Sequence, residues 1–522
     1  MKFLRLVSIV LLFVFFGSLL VHGLNSINQD IGRHIKSGQI IWETKQVYKT
    51  NLFSFTEPNK PFVNHHWLSE VAFYGLNNVI GLKGLILFKA GIILAALVLI
   101  FIAVYTQTGF WPLALSSLAG FMVFVERTDV RPEIFSYLFL SYFLFVIFRA
   151  KYNDVEHRYI QRRSTSLLYT LPLIQIFWTN MHIYFAVGPM LLLFFLIDRF
   201  FIKREEFKKA GYVFLATTAV TLINPNFITG ALVPFNILRH YGYGIVENQN
   251  IFFLRDYGIS LTAINLFEMS IFLLILSFII AFKNGRRKSV FEILTSVFLI
   301  IMAGKMIRNF GLYGLTFIPI VALNLSTLSP LTMSNIVSPQ VINTLSKRHR
   351  MSLISYAVLS AILIFLTLSV VNNSFYEWAS SAKTFGLTIP AGAEKGVKFV
   401  KENGIKGPVF NNFDVGSFLI WKLYPEQKVF VDGRPEAYTV DFFEKIYKPM
   451  QEDPKAWNFY SQKYGINYIF FAHTDITPWA RKFLSDISQN QEWPTVYVDD
   501  STIIFLKRNS QNKNLIDKFK IR

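Results

Sequence analysis

A chain of 522 residues that is 52% hydrophobic and only 16% charged is not composed like a soluble globular protein, where about a quarter of residues are charged. Its mean hydropathy is +0.39 and its apolar residues come in long blocks, so the composition points to a polytopic membrane protein. The absence of cysteine excludes disulfides, thiolate metal sites, iron–sulfur clusters and cysteine nucleophiles. The formal charge of +19 does not call for nucleic acid. Lys and Arg gather in short loops between apolar blocks, as the positive-inside rule expects, and no phosphate-cradling glycine loop accompanies them.

A helix needs about 20 mostly apolar residues to cross the hydrocarbon layer. In chain order the candidate spans are Leu4–Leu24, Leu85–Tyr105, Gly109–Val125, Ile134–Phe148, Ser166–Trp178, Ile183–Phe201, Tyr212–Ile223, Leu261–Phe282, Phe291–Met302, Phe310–Leu325 and Leu353–Val371. That makes about eleven by the same length rule. Four loops are rich in cations: Arg149–Arg163, Arg199–Lys209, Lys283–Lys288 and Lys347–Arg350. With a cytoplasmic start at Lys2 and Arg5, all four fall on the inner side. The first segment is read as a retained span; a cleaved signal peptide with Val21-His22-Gly23 near the cut is the alternative, and it leaves the following loop outside.

That loop, Asn25–Glu70, is polar between greasy neighbours. A short helix through Asn28–Gly38 puts Asp30, Arg33 and His34 at i, i+3 and i+4, on one face, and Asn64-His65-His66-Trp67 and Glu70 follow. The parity places further polar groups on the same side: Glu126-Arg127-Thr128-Asp129-Val130-Arg131-Pro132-Glu133, then Asn180 and His182, Asn224-Pro225-Asn226, Arg239 and His240, Glu247-Asn248-Gln249, and Lys305, Arg308 and Asn309. The inner loops hold scattered cations without such clusters. Each outer group has a plain structural reading, Asn224-Pro225 as a helix stop or the Glu126–Glu133 run as a self-paired turn. Their concentration on one face argues for chemistry there.

From about Lys383 the pattern changes to alternating helices and strands. Ala393–Asn403 and Pro478–Ser488 read as helices, and Pro408–Asn411, Lys428–Val431, Tyr468–His473, Thr495–Val498 and Thr502–Leu506 as strands. The division is a membrane domain over 1–382, an extracytoplasmic α/β domain over 383–508, and a basic, disordered tail over 509–522. Val429-Phe430-Val431-Asp432-Gly433-Arg434 puts an acid and a cation at a strand tip, either as ligand contacts or as a structural pair.

An outer cavity with Arg127, Arg131, Lys305 and Arg308 suits an anion such as a lipid phosphate, because a guanidinium grips phosphate oxygens with paired hydrogen bonds. A nearby carboxylate can take the proton of an acceptor hydroxyl. His34, His65 and His66 lack the spacing of a metal site, so no metal or other cofactor is assigned.

The patterns Asp30-x-x-x-His34-x-x-x-Gly38, Asn51-x-Phe53-Ser54-Phe55-Thr56 and Trp67-Leu68-Ser69-Glu70 resemble a group of prokaryotic membrane proteins in the GT-C glycosyltransferase superfamily, near the protein O-mannosyltransferase-like branch. The resemblance continues through Arg131-Pro132-Glu133, Trp178-Thr179-Asn180-Met181-His182, Asn224-Pro225 and Val431-Asp432-Gly433-Arg434. It implies a plasma-membrane enzyme that moves a sugar from a polyprenyl-phosphate carrier to a glycan, lipid or protein acceptor on the outer face. An acid in the first outer loop serves as base or organises the acceptor, and Asp30 holds that place. Many relatives carry two adjacent acids there, whereas Gln29 precedes Asp30; this departure bears on the catalytic assignment and on metal dependence alike. The expected site is therefore Asp30 as catalytic base, with His34, Asn64, His66, Arg127, Arg131, Glu133, Asn180, His182, Asn224, Glu247, Arg308, Asp432 and Arg434 binding substrate. A catalytically silent lipid- or glycan-binding relative and a transporter are the alternatives.

Overall fold

A computed structural model describes the chain apart from residues 1, 25–29, 153–165, 237–239, 287–288, 329–338, 380, 382, 390–391 and 522. Gln29 and Arg239, and the cations of the 153–165 and 287–288 loops, thus lie outside the described residues.

The apolar blocks are helical throughout: α1 (Lys2–Leu20), α2 (Ile31–Thr44), α3 (Trp67–Thr108), α4 (Phe110–Phe124), α5 (Glu133–Tyr152), α6 (Leu171–Met181), α7 (Val187–Ile202), α8 (Arg204–Ala219), α9 (Phe227–Asn236), α10 (Ile251–Asp256), α11 (Leu261–Lys283), α12 (Val290–Lys305), α13 (Phe310–Leu325) and α14 (Pro339–Val371). Among the described residues, seven segments are long and apolar enough to cross a membrane, or eight if Glu206–Leu222 and Phe227–Asn236, bent by 103°, form one span. The count of about eleven is thus not met by length. The helices behind the expected spans Gly109–Val125 and Phe291–Met302 run only 15 and 16 residues, about 22–24 Å at 1.5 Å per residue, against a hydrocarbon layer of about 30 Å. The α3 helix bends at Gly81, whose φ is +64°.

A single apolar core runs through the bundle, from Phe16 and Leu19 of α1 through Phe121 and Phe124 to α13, which is buried along nearly its whole length. The expectation of scattered inner charges is corrected at the end formed by the C-termini of α5 and α7 and the start of α12. There Lys151 pairs with Asp198 at 3.2 Å, Arg199 with Asp198 at 2.6 Å, and Arg286 with Glu292 at 3.0 Å. All but Arg286 are buried, and sequence spacing did not bring these residues together.

The C-terminal region contains a four-stranded sheet, order β1-β2-β4-β3, with β1 (Val409–Asn411) parallel to β2 (Tyr468–Ala472), and β4 (Thr502–Leu506) antiparallel to both β2 and β3 (Thr495–Val498). Both faces are covered, so β2 is buried at every residue. Its alternate side chains serve opposite cores: Tyr468, Phe470 and Ala472 pack with α16 (Gly392–Glu402) and α17 (Phe413–Leu423), whereas Ile469 and Phe471 pack with Trp457 and Phe483. The short helix α15 (Ser374–Trp378) precedes this region. Lys428–Val431 is not a ladder strand. It makes one bridge, Ser54 to Val429; the Phe430 amide and the Val431 carbonyl go to the side chain of Asn411, and the Phe430 carbonyl accepts from the Ser54 and Thr56 hydroxyls. Nor is the tail disordered: Lys513–Phe519 is a helix with Ile516 buried, because Phe519 packs on Phe399 of α16.

The first loop joins this region as a structural part of it. Phe53 enters one of its cores and Phe62 the other, and Val429 N–H donates to the Phe53 carbonyl at 3.0 Å. Asp432 and Arg434, 0% and 1% exposed, form a two-pronged pair at 2.7 and 2.8 Å. Arg434 also donates to Asn51 Oδ1 at 2.8 Å, and Tyr438 donates to Asp432. Removing one partner of such a pair leaves an uncompensated buried charge and costs about 3–5 kcal/mol. Arg434→Leu is accordingly expected to lower the thermal midpoint of the detergent-solubilised protein sharply, and replacing both Asp432 and Arg434 with apolar residues to cost less than Arg434→Leu alone.

Candidate active site

Asp30 is the residue before the first turn of α2, a place where aspartate usually accepts a backbone N–H. Here its side chain makes no such bond. The carboxylate accepts instead from Ser417 Oγ of α17 at 2.8 Å and lies 3.6 Å from Arg33. It is 30% exposed, onto a cavity of about 900 Å³ between the helix bundle and the C-terminal region. Two glycines allow this placement. A Cβ on Gly433 would come within 2.5 Å of Asp30 Oδ1, and one on Gly38 would overlap the Glu70 carbonyl of α3, so α2 seats directly on α3 and the Asp432-Gly433-Arg434 turn closes on the carboxylate.

Glu70 organises the wall behind. It is fully buried and accepts from Asn64 Nδ2 at 2.6 Å and from Arg33 at 3.5 Å, with His34 Nδ1 at 3.1 Å. Burial pushes the Asp30 carboxyl up, but Arg33 and then Arg131 outweigh it and hold it below the ordinary range; it is ionised at neutral pH. A second wall comes from the turn before α5. Arg127 pairs with Glu133 at 3.2 Å and with Glu247 at 3.0 Å, and Arg131 pairs with Glu247 at 2.5 Å. Arg308 donates to Asn248 Oδ1 at 2.9 Å.

Four histidines share the cavity. His66 stacks on His182 with centroids 5.3 Å apart and lies 3.9 Å from His65 and 5.6 Å from His34. Ser136 Oγ lies 2.9 Å from His182 Nδ1, and His66 Nδ1 is buried without a hydrogen-bond partner. Burial first, and then neighbouring imidazoles or Arg308, hold His66 and His182 well below their ordinary value, and burial and Arg308 lower His65 to about 4. All three are neutral at pH 7. Among the described residues no three His, Asp or Glu side chains converge as metal ligands. Glu70 is already taken by Arg33, His34 and Asn64, so the residues present do not fit a metal and no step is routed through one.

Of the expected site residues, Asp30, His34, His66, Arg131, Glu133, His182, Glu247 and Arg308 line this cavity. The others stand behind it or away from it. Asn64 and Arg127 hold the second layer. Asn180 accepts from Trp67 Nε1 at 2.8 Å and donates to the Ile176 and Ile223 carbonyls, which fastens α3 to α6 and the end of α8. Asn224 bonds the carbonyls of its own turn, Thr221 and Phe227. Asp432 and Arg434 pair with each other, while their neighbours Gly433, Pro435 and Glu436 face the cavity. Sequence reasoning missed Asp414 and Asp475, which line the same cavity from the C-terminal region. The available signal was Asn411-Asn412-Phe413-Asp414, a polar run at the tip of β1.

No protein-family profile and no curated protein matches the chain. Solved structures do. Archaeal oligosaccharyltransferase AglB from Archaeoglobus fulgidus, in complex with an inhibitory peptide and a dolichol-phosphate, superposes over 97% of this chain and 74% of its own, with a TM-score of 0.58 at 10% identity. The apo form of the Archaeoglobus fulgidus oligosaccharyltransferase gives 0.59 over 97% and 74%, and its complex with Zn and sulfate gives 0.56 over 96% and 73%, each at 10% identity. The chain shares the fold of these oligosaccharyltransferases. It is a multi-pass membrane protein. These neighbours are oligosaccharyltransferases and lend no support to the O-mannosyltransferase branch.

The neutral histidines give a pH test. Below pH 6.5 the unfolded chain takes up protons that the buried imidazoles refuse, so the unfolded state binds more protons and stability falls as pH falls. The loss is expected between about 6.5 and about 4, where His65 itself protonates. Thermal melts across that window are expected to show a shallower slope for the His65→Gln, His66→Gln double variant than for the parent.

Proposed function

We propose that the chain is a glycosyltransferase that moves a sugar from a polyprenyl-phosphate carrier to an acceptor hydroxyl or amide at this cavity. The observation that carries the reading is that Asp30, Arg131 and Arg308, from three distant segments, line one cavity. The fold it shares with an oligosaccharyltransferase seen with a dolichol-phosphate and an inhibitory peptide supports a lipid-phosphate donor and a separate acceptor.

Asp30 would accept the acceptor's proton as the acceptor atom bonds to the sugar's anomeric carbon and the carbon–oxygen bond to the carrier phosphate breaks. Attack from the face opposite the leaving phosphate inverts the anomeric centre. An ionised carboxylate is a weak base, but the acceptor becomes strongly acidic as its new bond forms, so proton transfer late in the step suffices. The phosphate departs with the bonding electron pair, and Arg131 and Arg308 stabilise that charge through charge-assisted hydrogen bonds. Neutral His34, His66 and His182 offer donors and acceptors to sugar hydroxyls without competing for the phosphate. The basic-loop parity of the sequence supports a cytoplasmic N-terminus, a cavity on the outer face and residence in a prokaryotic plasma membrane.

Asp30→Asn keeps the shape and the Ser417 contact while removing the base. In membranes supplied with a radiolabelled lipid-linked sugar, transfer is expected to fall at least a hundredfold, in line with the usual ~10²–10⁴ contribution of a positioned base. Undiminished transfer would remove Asp30 from that role. Carrier-lipid binding with no turnover in the parent protein would favour the silent lipid-binding reading, which the single acid at this position supports.

A further inference from the structure

The arginines that this reading gives to the donor phosphate are already engaged. Glu247 Oε1 and Oε2 lie 2.5 and 2.6 Å from Arg131 Nη1, and the same carboxylate lies 3.0 and 3.1 Å from the two terminal nitrogens of Arg127. The next residue, Asn248, holds Arg308. One three-residue turn, Val246–Asn248, therefore occupies all three guanidinium groups. It does not satisfy them. The Nε of Arg127, of Arg131 and of Arg308 is in each case buried without a hydrogen-bond partner. Three unpaired N–H donors at one place are costly, and one carboxylate has too few oxygens for them.

Apart from those arginine contacts, the turn is fastened at its ends. Before it, Tyr243 stacks on Phe413 of the C-terminal region, centroids 4.2 Å apart, and Gly244 follows. After it, the Asn250 side chain caps α10 by accepting from the Phe252 and Phe253 amides at 3.0 and 2.9 Å. Rotation of the short span between these anchors would carry Glu247 and Asn248 away together and release the three arginines at once.

We propose that Glu247 is an internal stand-in for the donor's phosphate, displaced when a phosphate group enters. Resting on the donor reading above, this identifies the Val246–Asn248 turn as the element that the donor moves. A phosphodiester matches a carboxylate in charge but offers more oxygens, two terminal and two ester, so it can bond the terminal nitrogens that Glu247 gives up and also reach the unpaired Nε–H groups. The swap keeps the buried arginines paired in both states, as buried charge requires, and leaves a competitor in place that lets the spent carrier go.

Two measurements on the full chain in detergent test this, with farnesyl phosphate and inorganic phosphate as probes. Glu247→Gln removes the competing charge and is expected to bind farnesyl phosphate at least tenfold more tightly than the parent. The parent has no cysteine, so Ile245→Cys provides a single reporter beside the turn, and its maleimide labelling is expected to quicken several-fold at saturating farnesyl phosphate. Equal tightening toward inorganic phosphate supports the stand-in and assigns the site to the bare phosphate group. Parent binding that weakens on Arg308→Gln, but neither tightens in Glu247→Gln nor alters labelling, overturns the stand-in and spares the donor reading. No farnesyl phosphate binding by either the parent or Glu247→Gln overturns both. If Glu247→Gln fails to fold, the labelling rate alone decides.

Discussion

A charge taken out of water beside a membrane bundle has to be paired, and that requirement assembles this site. Arg33 is 4% exposed and Arg127 4%, and both find carboxylates from other parts of the chain. Glu70 draws in Arg33, His34 and Asn64, and with them the two ends of the first loop. Glu247 draws together Arg127, Arg131 and the segment before α10. Asp432 and Arg434 fix Asn51 of the first loop to the C-terminal region. The desolvation cost of one buried ion is several kcal/mol, so each pairing leaves little freedom in where its two segments sit. The cavity is the space enclosed once these pairings are made.

The electrostatics within that space are divided. One side holds guanidinium groups, and another holds imidazoles that burial keeps neutral. Asp30 lies between, ionised because Arg33 and Arg131 outweigh its desolvation. On the proposed function, a phosphate would be attracted to one wall and a sugar's hydroxyls to the other, without a cationic histidine to confuse them. The acid itself is freed from the helix cap that its position would normally give it, and Ser417, reaching over from the C-terminal region, aims it. The bundle and the α/β region therefore build the site jointly, and the polar loops between spans serve as the joint.

Much of this was legible from residue order. The pairing of Asp30, Arg33 and His34 on one helical face follows from 3.6-residue periodicity, and the outer clusters, gathered only by loop parity, meet at one cavity in eight of fourteen expected positions. What parity could not separate is a residue that touches the cavity from one that supports it. Asn180, Asp432 and Arg434 lie in the same polar runs as lining residues, but their hydrogen bonds go to backbone carbonyls, to Trp67, Asn51 and Tyr438, or to each other, and Asn224 bonds only its own turn. The strand-like run Lys428–Val431 misled for a related reason: its neighbour was not another strand but the first loop and one asparagine side chain, and local β propensity says nothing about which partner arrives.

The sequence by itself determined that this is a multi-pass membrane protein, where its apolar helices lie, that an α/β region follows them, and which short polar runs supply most of the cavity's charged lining, because hydropathy, loop charge and periodicity are local quantities. Only the tertiary structure decided which members of those runs face the cavity, that Asp414 and Asp475 join them, and that Glu247 pairs with Arg127 and Arg131. Those outcomes depend on burial and on partners more than a hundred residues away, and no local pattern encodes either.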